Sequence, residues 1–406
     1  MTLDAFLEKR LLLKESRITL GLDRIQTFVE KVPLKKKCPI IAIGGTNGKG
    51  SCLTTLVNIY TEAGYNVCSF ISPHIESVNE RFKMNHDDIS SEELLSYFKQ
   101  VEQMSQDLDL SYFEFLCAVA WLMFCDKTPD VMIFEIGMGG RLDAVNALPI
   151  SLSVITSIDL DHEAYLGNTR DVIAKEKFAI ARQNTPLVIG DPNLTSLMLN
   201  HLETLNAKVY RFNQSFSAFN DGGNIIYQGE HQIQFKDNHV NVHALSCALK
   251  VIEILNQSLP VTANMIPNIL SQLVIPGRFE YLIHEPPLIV DVAHNTAAMT
   301  SLMKRWPYAR DETVMIVAFK QGKRITSSIK ALGKYAKRVY FLDLEDDAFI
   351  DQDVFIANIS REVHYEIIKP SQLRQVIGLN APKLAFGCFK IVELVKKLMR
   401  EGIDVN

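Results

Sequence analysis

Apolar and polar positions along this chain come in blocks. Predominantly apolar runs stand at 40–43, 67–71, 131–136, 152–158 and 187–189. A strand wetted on one face alternates, whereas one buried on both faces reads as continuous, so these runs predict interior strands. Amphipathic stretches such as Ser91–Met104 lie between them, and the wholly apolar segment 115–125 predicts a buried helix. Strands alternating with helices in this way predict a parallel sheet covered on both faces. Ligands in such folds gather beyond the C-terminal ends of the strands. The reactive residues fall there: 44–51 after the first run, Ser72-Pro73-His74 after the second, Glu135 ending the third, and Asp161-His162 after the fourth.

Residues 208–240 are polar with short alternating runs, which predicts a small β hairpin or meander, and 242–255 predicts a helix. Pro276-Gly277-Arg278 marks a domain end. Beyond it, strand-like runs at 288–295, 313–319, 338–342 and 383–389 precede a helix over 390–400. The predicted class is therefore α/β with two domains. Residues 1–279 form a mostly parallel P-loop-type sheet with a small β subdomain, and 280–406 form a smaller Rossmann-like α/β domain.

Composition narrows the function. Of 406 residues 47% are hydrophobic and 22% charged, and the net charge of −5 offers no basic footprint for nucleic acid or an anionic membrane. The longest apolar run falls short of the roughly 20 residues a membrane span needs. No signal-peptide core opens the chain. Seven cysteines sit singly among apolar neighbours, which reads as reduced core thiols and predicts a cytoplasmic protein.

The richest segment is IAIGGTNGKGS (41–51). Glycines let successive N–H groups turn inward around phosphate, Lys49 reaches the β- and γ-phosphates, and the Ser51 hydroxyl suits Mg²⁺. Gly45, Thr46, Asn47, Gly48 and Gly50 complete the loop, which would sit at a helix N-terminus where anions are favoured. Gly50 separates Lys49 from Ser51, where the usual spacing has none. Glu135, a lone acid at a strand exit, needs a cation partner once buried, and ATP with Mg²⁺ supplies one. Arg141 and Asp143 lie in the glycine-rich turn that follows. His162 follows two acids as a metal ligand or phosphate contact. Lys177, within Lys175-Glu176-Lys177, reads on its own as a solvated surface lysine. Asp291, His294 and Asn295 suggest a polar cleft site in the second domain, which Arg278 would complete when the domains close.

Taken together, these blocks resemble the folylpolyglutamate synthase and dihydrofolate synthase family, relatives of the ATP-dependent ligases of cell-wall peptide synthesis. The resemblance rests on LGLDRI (20–25), GGTNGKGS (44–51), SPHIESVNERF (72–82), SYFEF (111–115), EIGMGGRLDAVN (135–146), ITSIDLDH (155–162), IAKEKFAI (173–180), PGRFE (276–280) and DVAHN (291–295), in that order. It implies an ATP-dependent amide ligase that adds L-glutamate to dihydropteroate and to reduced folates through an acyl phosphate. It implies two Mg²⁺ ions, the first on Ser51 and Glu135 and the second served by His162. It turns Lys177 from a surface residue into a carbamylated metal ligand. Arg278 would contact phosphate, Asn241 the adenine, and Asp291 and His294 the nucleotide. Leu22, Arg24, Ser72, Pro73, His74, Phe113, Asp143 and Asn146 would bound the pterin and folate site. No nucleic-acid or membrane partner is implied, and a monomer is expected.

The likeness thins after residue 300. Where relatives carry Asp-Lys-Asp, this chain has Phe319-Lys320-Gln321-Gly322-Lys323-Arg324; a Pro-Arg element is replaced by LEDD (344–347), and Gly-Ser-Phe by Gly387-Cys388-Phe389. These loops bear on the amino-acid substrate. Rival readings are a monofunctional folylpolyglutamate synthase, a cell-wall ligase, which would need a UDP-sugar domain ahead of Gly44, and a non-catalytic nucleotide-binding relative.

Overall fold

In the computed structural model the five apolar runs are neighbours in one sheet. Residues 2–3, 5–8, 21–322 and 325–402 are described, so Leu20, Lys323 and Arg324 lie outside the described residues. The chain forms two units, Met1–Leu273 and Val274–Asn406, dividing just ahead of the Pro276-Gly277-Arg278 turn.

The first unit holds strands β1 (Ile40–Gly44), β2 (Val67–Phe70), β3 (Phe82–Met84), β4 (Asp87–Asp88), β5 (Val131–Glu135), β6 (Leu152–Ile155), β7 (Pro186–Ile189) and β8 (Lys208–Arg211). Their order is β4-β3-β2-β5-β1-β6-β7-β8. From β2 to β8 every pairing is parallel, and β3 and β4 add an antiparallel edge. Lys83, Asp87 and Asp88 on that edge discourage pairing with another chain. β1, β2, β5 and β6 are buried throughout, as their predominantly apolar sequences require, with Ser69, Glu135 and Ser153 buried among them.

β6 ends at Ile155, short of the 158 that the apolar run suggests. The residues beyond it turn away from the ladder because their polar groups serve the loop after β1: Ser157 O accepts from Thr46 N at 2.9 Å. The 115–125 run lies inside the Tyr112–Lys127 helix, opened by a Ser111–Glu114 capping box and buried from Glu114 to Cys125. β8 joins the main sheet, so the meander consists only of β9 (Ser217–Asp221), β10 (Asn224–Gln228) and β11 (Gln232–Lys236), all antiparallel. The Val242–Leu255 helix follows as expected.

The second unit holds β12 (Glu280–His284), β13 (Pro287–Asp291), β14 (Val314–Val317), β15 (Arg338–Leu342), β16 (His364–Ile368) and β17 (Lys383–Phe386) in the order β12-β13-β17-β14-β15-β16. All pair in parallel except β12. β12 and β16 escaped the sequence reading because each lies at an edge, β12 half-buried and β16 mostly solvent-facing. Among the described residues no helix is long and apolar enough to cross a membrane.

Candidate active site

The phosphate loop leaves β1 at Gly44 and enters the Lys49–Glu62 helix through Gly48, which has φ +86°. Its geometry is set from behind by the residues after β6. Asn47 N donates to Ser157 Oγ at 2.9 Å, and Thr156 Oγ1 donates to Asn47 O at 2.7 Å. Thr46 Oγ1 donates to Asp159 O at 3.1 Å and accepts from Asp159 N at 3.0 Å. Gly45 has φ +142°, and a Cβ there would stand 2.1 Å from Thr156 Oγ1. Only glycine fits. A Cβ on Gly48 would meet Ala244 Cβ at 3.0 Å, so the loop rests on the first turn of the Val242–Leu255 helix, whose N-cap is Asn241. Asn241 Oδ1 accepts from Ala244 N at 3.0 Å.

The first turn of the Lys49–Glu62 helix presents N–H groups with no intrahelical acceptor, which suits phosphate oxygens. Lys49 Nζ lies 3.8 Å from Glu135 Oε1 and donates to Gly45 O at 3.2 Å. Glu135 Oε2 accepts from Ser72 N at 3.2 Å, tying the 72–74 loop to the carboxylate. The inserted Gly50 explains itself here. Its Cβ would point at Ile71 (3.3 Å) and Glu135 Oε2 (3.7 Å), so any longer side chain would enter the space of the carboxylate. Ser51 and Glu135 are both 3% exposed. Among the described residues no three His, Cys, Asp or Glu side chains gather as a metal cage. One carboxylate plus one hydroxyl fits Mg²⁺ that draws its remaining ligands from phosphates and water.

Lys177 is not at the surface. It is 3% exposed, while Lys175 two residues earlier is exposed. Burial pushes its amine down to about 7; Lys49 pushes the same way, while Asp161 and Asp143 oppose it. The glycine turn after β5 makes this packing possible. A Cβ on Gly140 would stand 2.7 Å from Glu176 O and 3.2 Å from Lys177 Cα, so its absence lets the Arg170–Phe178 helix close in. Arg141 secures the contact, its N donating to Glu176 O and its Nε to Glu176 Oε1, both at 2.9 Å. Asp143 braces the turn, accepting from Met138 N at 2.9 Å and Val145 N at 3.0 Å; burial raises its carboxyl to about 6. His162 has φ +51°, and its Nε2 lies 4.0 Å from Asp161 Oδ2. Lys49, Glu135, Asp143, Asp161, His162 and Lys177 are thus linked in one charged cluster.

The residues assigned to the pterin region separate into two kinds. Arg24 pairs with buried Glu114 (Nη2 to Oε1 3.0 Å), and Phe113 lies where a Gly137 side chain would be, at 2.6 Å, which brings 22–24, 113–114 and the glycine turn together. Asn146, by contrast, is spent on the protein: Nδ2 donates to Arg141 O at 3.0 Å and Oδ1 accepts from Arg182 Nη1 at 2.9 Å. His74 Nδ1 accepts from Arg81 Nε at 2.8 Å, and burial with the Arg81 charge pulls the imidazole down to about 4. His74 is therefore neutral with its proton on Nε2. Arg81 itself is 8% exposed.

In the second unit Asp291 is an organiser. Its Oδ2 accepts from Phe279 N at 2.9 Å, its Oδ1 from Ala293 N at 2.8 Å, and Arg305 lies 3.6 Å away. Phe279 is thereby held at φ +48°, a conformation that bulky residues avoid. Asn295 caps the Thr296–Arg305 helix. Two members of the expected polar triad thus cap backbone. His294 Nδ1 donates to Val292 O at 2.9 Å, and its ring lies 6.2 Å from Phe389, over which the Arg278 guanidinium sits at 5.6 Å. Phe389 gathers Arg278 and His294.

No family model matches the chain. The Haemophilus influenzae dihydrofolate synthase/folylpolyglutamate synthase is 34% identical over 307 residues, covering 71% of this chain and 70% of that protein. The chain belongs to the dihydrofolate synthase/folylpolyglutamate synthase family. The Escherichia coli counterpart is 29% identical over 349 residues, covering 82% and 80%. The bifunctional Yersinia pestis enzyme has the same fold, with TM-score 0.90 at 30% identity over 98% of each chain. The Escherichia coli FolC structure in complex with DHPP and ADP has TM-score 0.91 at 26% identity over 99% of this chain and 98% of that one.

For this family member the sequence reading passed over Arg81, Glu114 and Phe389. Each had a weak signal: a charge just ahead of a short strand, an acid in an apolar helix, an aromatic opening the last helix. None of these reveals a partner. Gly45→Ala should lower stability by about 2 kcal/mol or more and abolish nucleotide binding. Urea unfolding and ADP titration measure both, and wild-type values in both would contradict the account. Folding disfavours the Lys177 ammonium, so stability rises with pH between about 7 and 10.5. In metal-free, CO₂-free buffer Lys177→Met should stabilise the protein by on the order of 4 kcal/mol below that window, and the gain should shrink through it. A pH-independent difference would refute the buried amine.

Proposed function

We propose that this chain is an ATP-dependent ligase that joins L-glutamate to dihydropteroate and to reduced folates, acting as a cytoplasmic monomer. The observation that carries the reading is the buried Lys177 amine within electrostatic reach of Lys49 on the phosphate loop. A bifunctional folylpolyglutamate synthase/dihydrofolate synthase, 29% identical, has been described with Mn, AMPPNP and L-glutamate bound, which supports the same substrate classes here.

A carboxylate is a poor electrophile. In this reading the substrate carboxylate attacks the γ-phosphorus of ATP, ADP leaves, and an acyl phosphate results. The glutamate nitrogen then attacks the acyl carbon, loses a proton, and phosphate departs. Like charges must meet in the first step, and Lys49, the helix N–H groups and Arg278 offset them. As the family resemblance implies, Asn241 would contact the adenine, and Asp291 and His294 the nucleotide. Ser51 and Glu135 would hold one Mg²⁺ and His162 would serve another, and bound magnesium would supply further charge neutralisation. Leu22, Arg24, Phe113, the 72–74 loop and Asp143 bound the pterin, while Asn146 braces that wall from behind.

Lys177 supports carbamylation because an amine titrating near 7 offers its lone pair at neutral pH. Its nitrogen attacks the carbon of CO₂ and gives up one proton, leaving an anionic ligand for the second cation. ADP release should require glutamate together with dihydropteroate or a reduced folate. Comparing both pterins in one assay separates a bifunctional enzyme from a monofunctional one. Equal ATP hydrolysis with and without these substrates would sink the ligase reading. Lys177→Ala should lose most turnover and regain part of it with a short carboxylic acid, and ¹³C-bicarbonate should give a carbamate signal that this variant lacks.

A further inference from the structure

The parallel pairing of β6 with β7 stops at Ile155 and Ile189, with Gly190 N donating to Ile155 O at 2.8 Å as the last backbone link. Beyond it the two chains separate, yet Ile158 is only 1% exposed. A buried peptide group needs partners. They come from an ion pair. Asp191 Oδ2 accepts from Ile158 N at 2.7 Å, and Arg170 Nε donates to Ile158 O at 2.9 Å. On the far side Asp191 Oδ1 accepts from Asn193 N at 2.8 Å, and Arg170 Nη1 donates to Asn193 O at 3.0 Å. The two side chains bond each other through Arg170 Nη2, at 3.0 and 3.1 Å. The pair therefore stands in for a missing rung of the sheet, holding the backbone N–H and C=O of both Ile158 and Asn193.

Its placement gives it consequence. Ile158 lies between Ser157 and Asp159, the residues that hold Asn47 and Thr46 of the phosphate loop. Arg170 also opens the helix that carries Lys177. Neither Arg170 nor Asp191 belongs to the residues assigned to nucleotide or substrate. We propose that Arg170 and Asp191 are positioning residues for the nucleotide, acting through Ile158 and the Thr46–Asp159 contact on the phosphate loop. The inference rests on the ligase reading only in that the loop takes a nucleoside triphosphate.

Bidentate, charge-assisted contacts make the geometry exacting, and lysine cannot replace the fork of Arg170. Arg170→Lys should weaken Mg·ADP binding about tenfold, the loss of one such bond. Asp191→Asn keeps an acceptor for Ile158 N and should lose less. Calorimetric titration of Arg170→Lys, Thr46→Val and the double variant gives the decisive comparison. If the pair acts through Thr46, the double variant binds no more weakly than the weaker single one. Losses that multiply would overturn the proposal, as would wild-type affinity in Arg170→Lys with only a lower Tm, the mark of a purely structural brace. Should the variants fail to fold, amide hydrogen exchange in the unaltered protein tests the same link. Mg·ADP should slow exchange at Ile158 and Asn193 along with Asn47, and unchanged exchange there would count against it. Failure of the unaltered protein to bind Mg·ADP would instead strike at the ligase reading.

Discussion

Everything at the site depends on keeping unlike charges buried together at the edge of a parallel sheet. Lys49 stands 3.8 Å from Glu135, and Lys177 shares Lys49, Asp143 and Asp161 as its charged surroundings. Isolated, any one of these groups would be expelled to water or neutralised. Held together, they offset one another's charge where none would be stable alone. Lys177 is the pivot. Its amine is disfavoured as a cation, which leaves it open to chemistry that an exposed lysine at neutral pH resists.

The scaffold meets this need with backbone more than with side chains. Parallel strands deliver the phosphate loop, the 72–74 loop, the glycine turn and the 156–162 segment to one edge, and glycines at 45, 48 and 140 remove the atoms that would hold those loops apart. Hydroxyls then do the joining. Thr46, Thr156 and Ser157 stitch two loops that share no strand pairing of their own beyond Gly44. In the second unit a carboxylate does the same work, since Asp291 holds Phe279 in a left-handed turn from which Arg278 reaches Phe389.

Much of this was legible in the residues. Strands buried on both faces are dominated by apolar residues, so β1, β2, β5, β6 and β7 announced themselves, and the glycine-rich loop with Lys49 and Ser51 stood out as a candidate phosphate loop. What burial did not constrain went unseen: β12 and β16 are wetted edges, and their sequences carry no period to detect. The Asp291-Val292-Ala293-His294-Asn295 segment looked like a row of cleft residues, but two of its polar members hold backbone. A side chain's hydrogen-bond partner is a matter of distance in space, and neighbours in sequence do not reveal it.

The sequence by itself determined the fold class, the place of the glycine-rich loop and the family, because these follow from periodicity and from ordered motifs along the chain. The tertiary structure alone decided which charges are buried. Lys175 and Lys177 differ by two positions on one short helix, yet one faces water and the other lies against Gly140. No local rule separates them. The distinction arises where a glycine turn from one strand meets a helix after another, and such a meeting exists only once the sheet has set both in place.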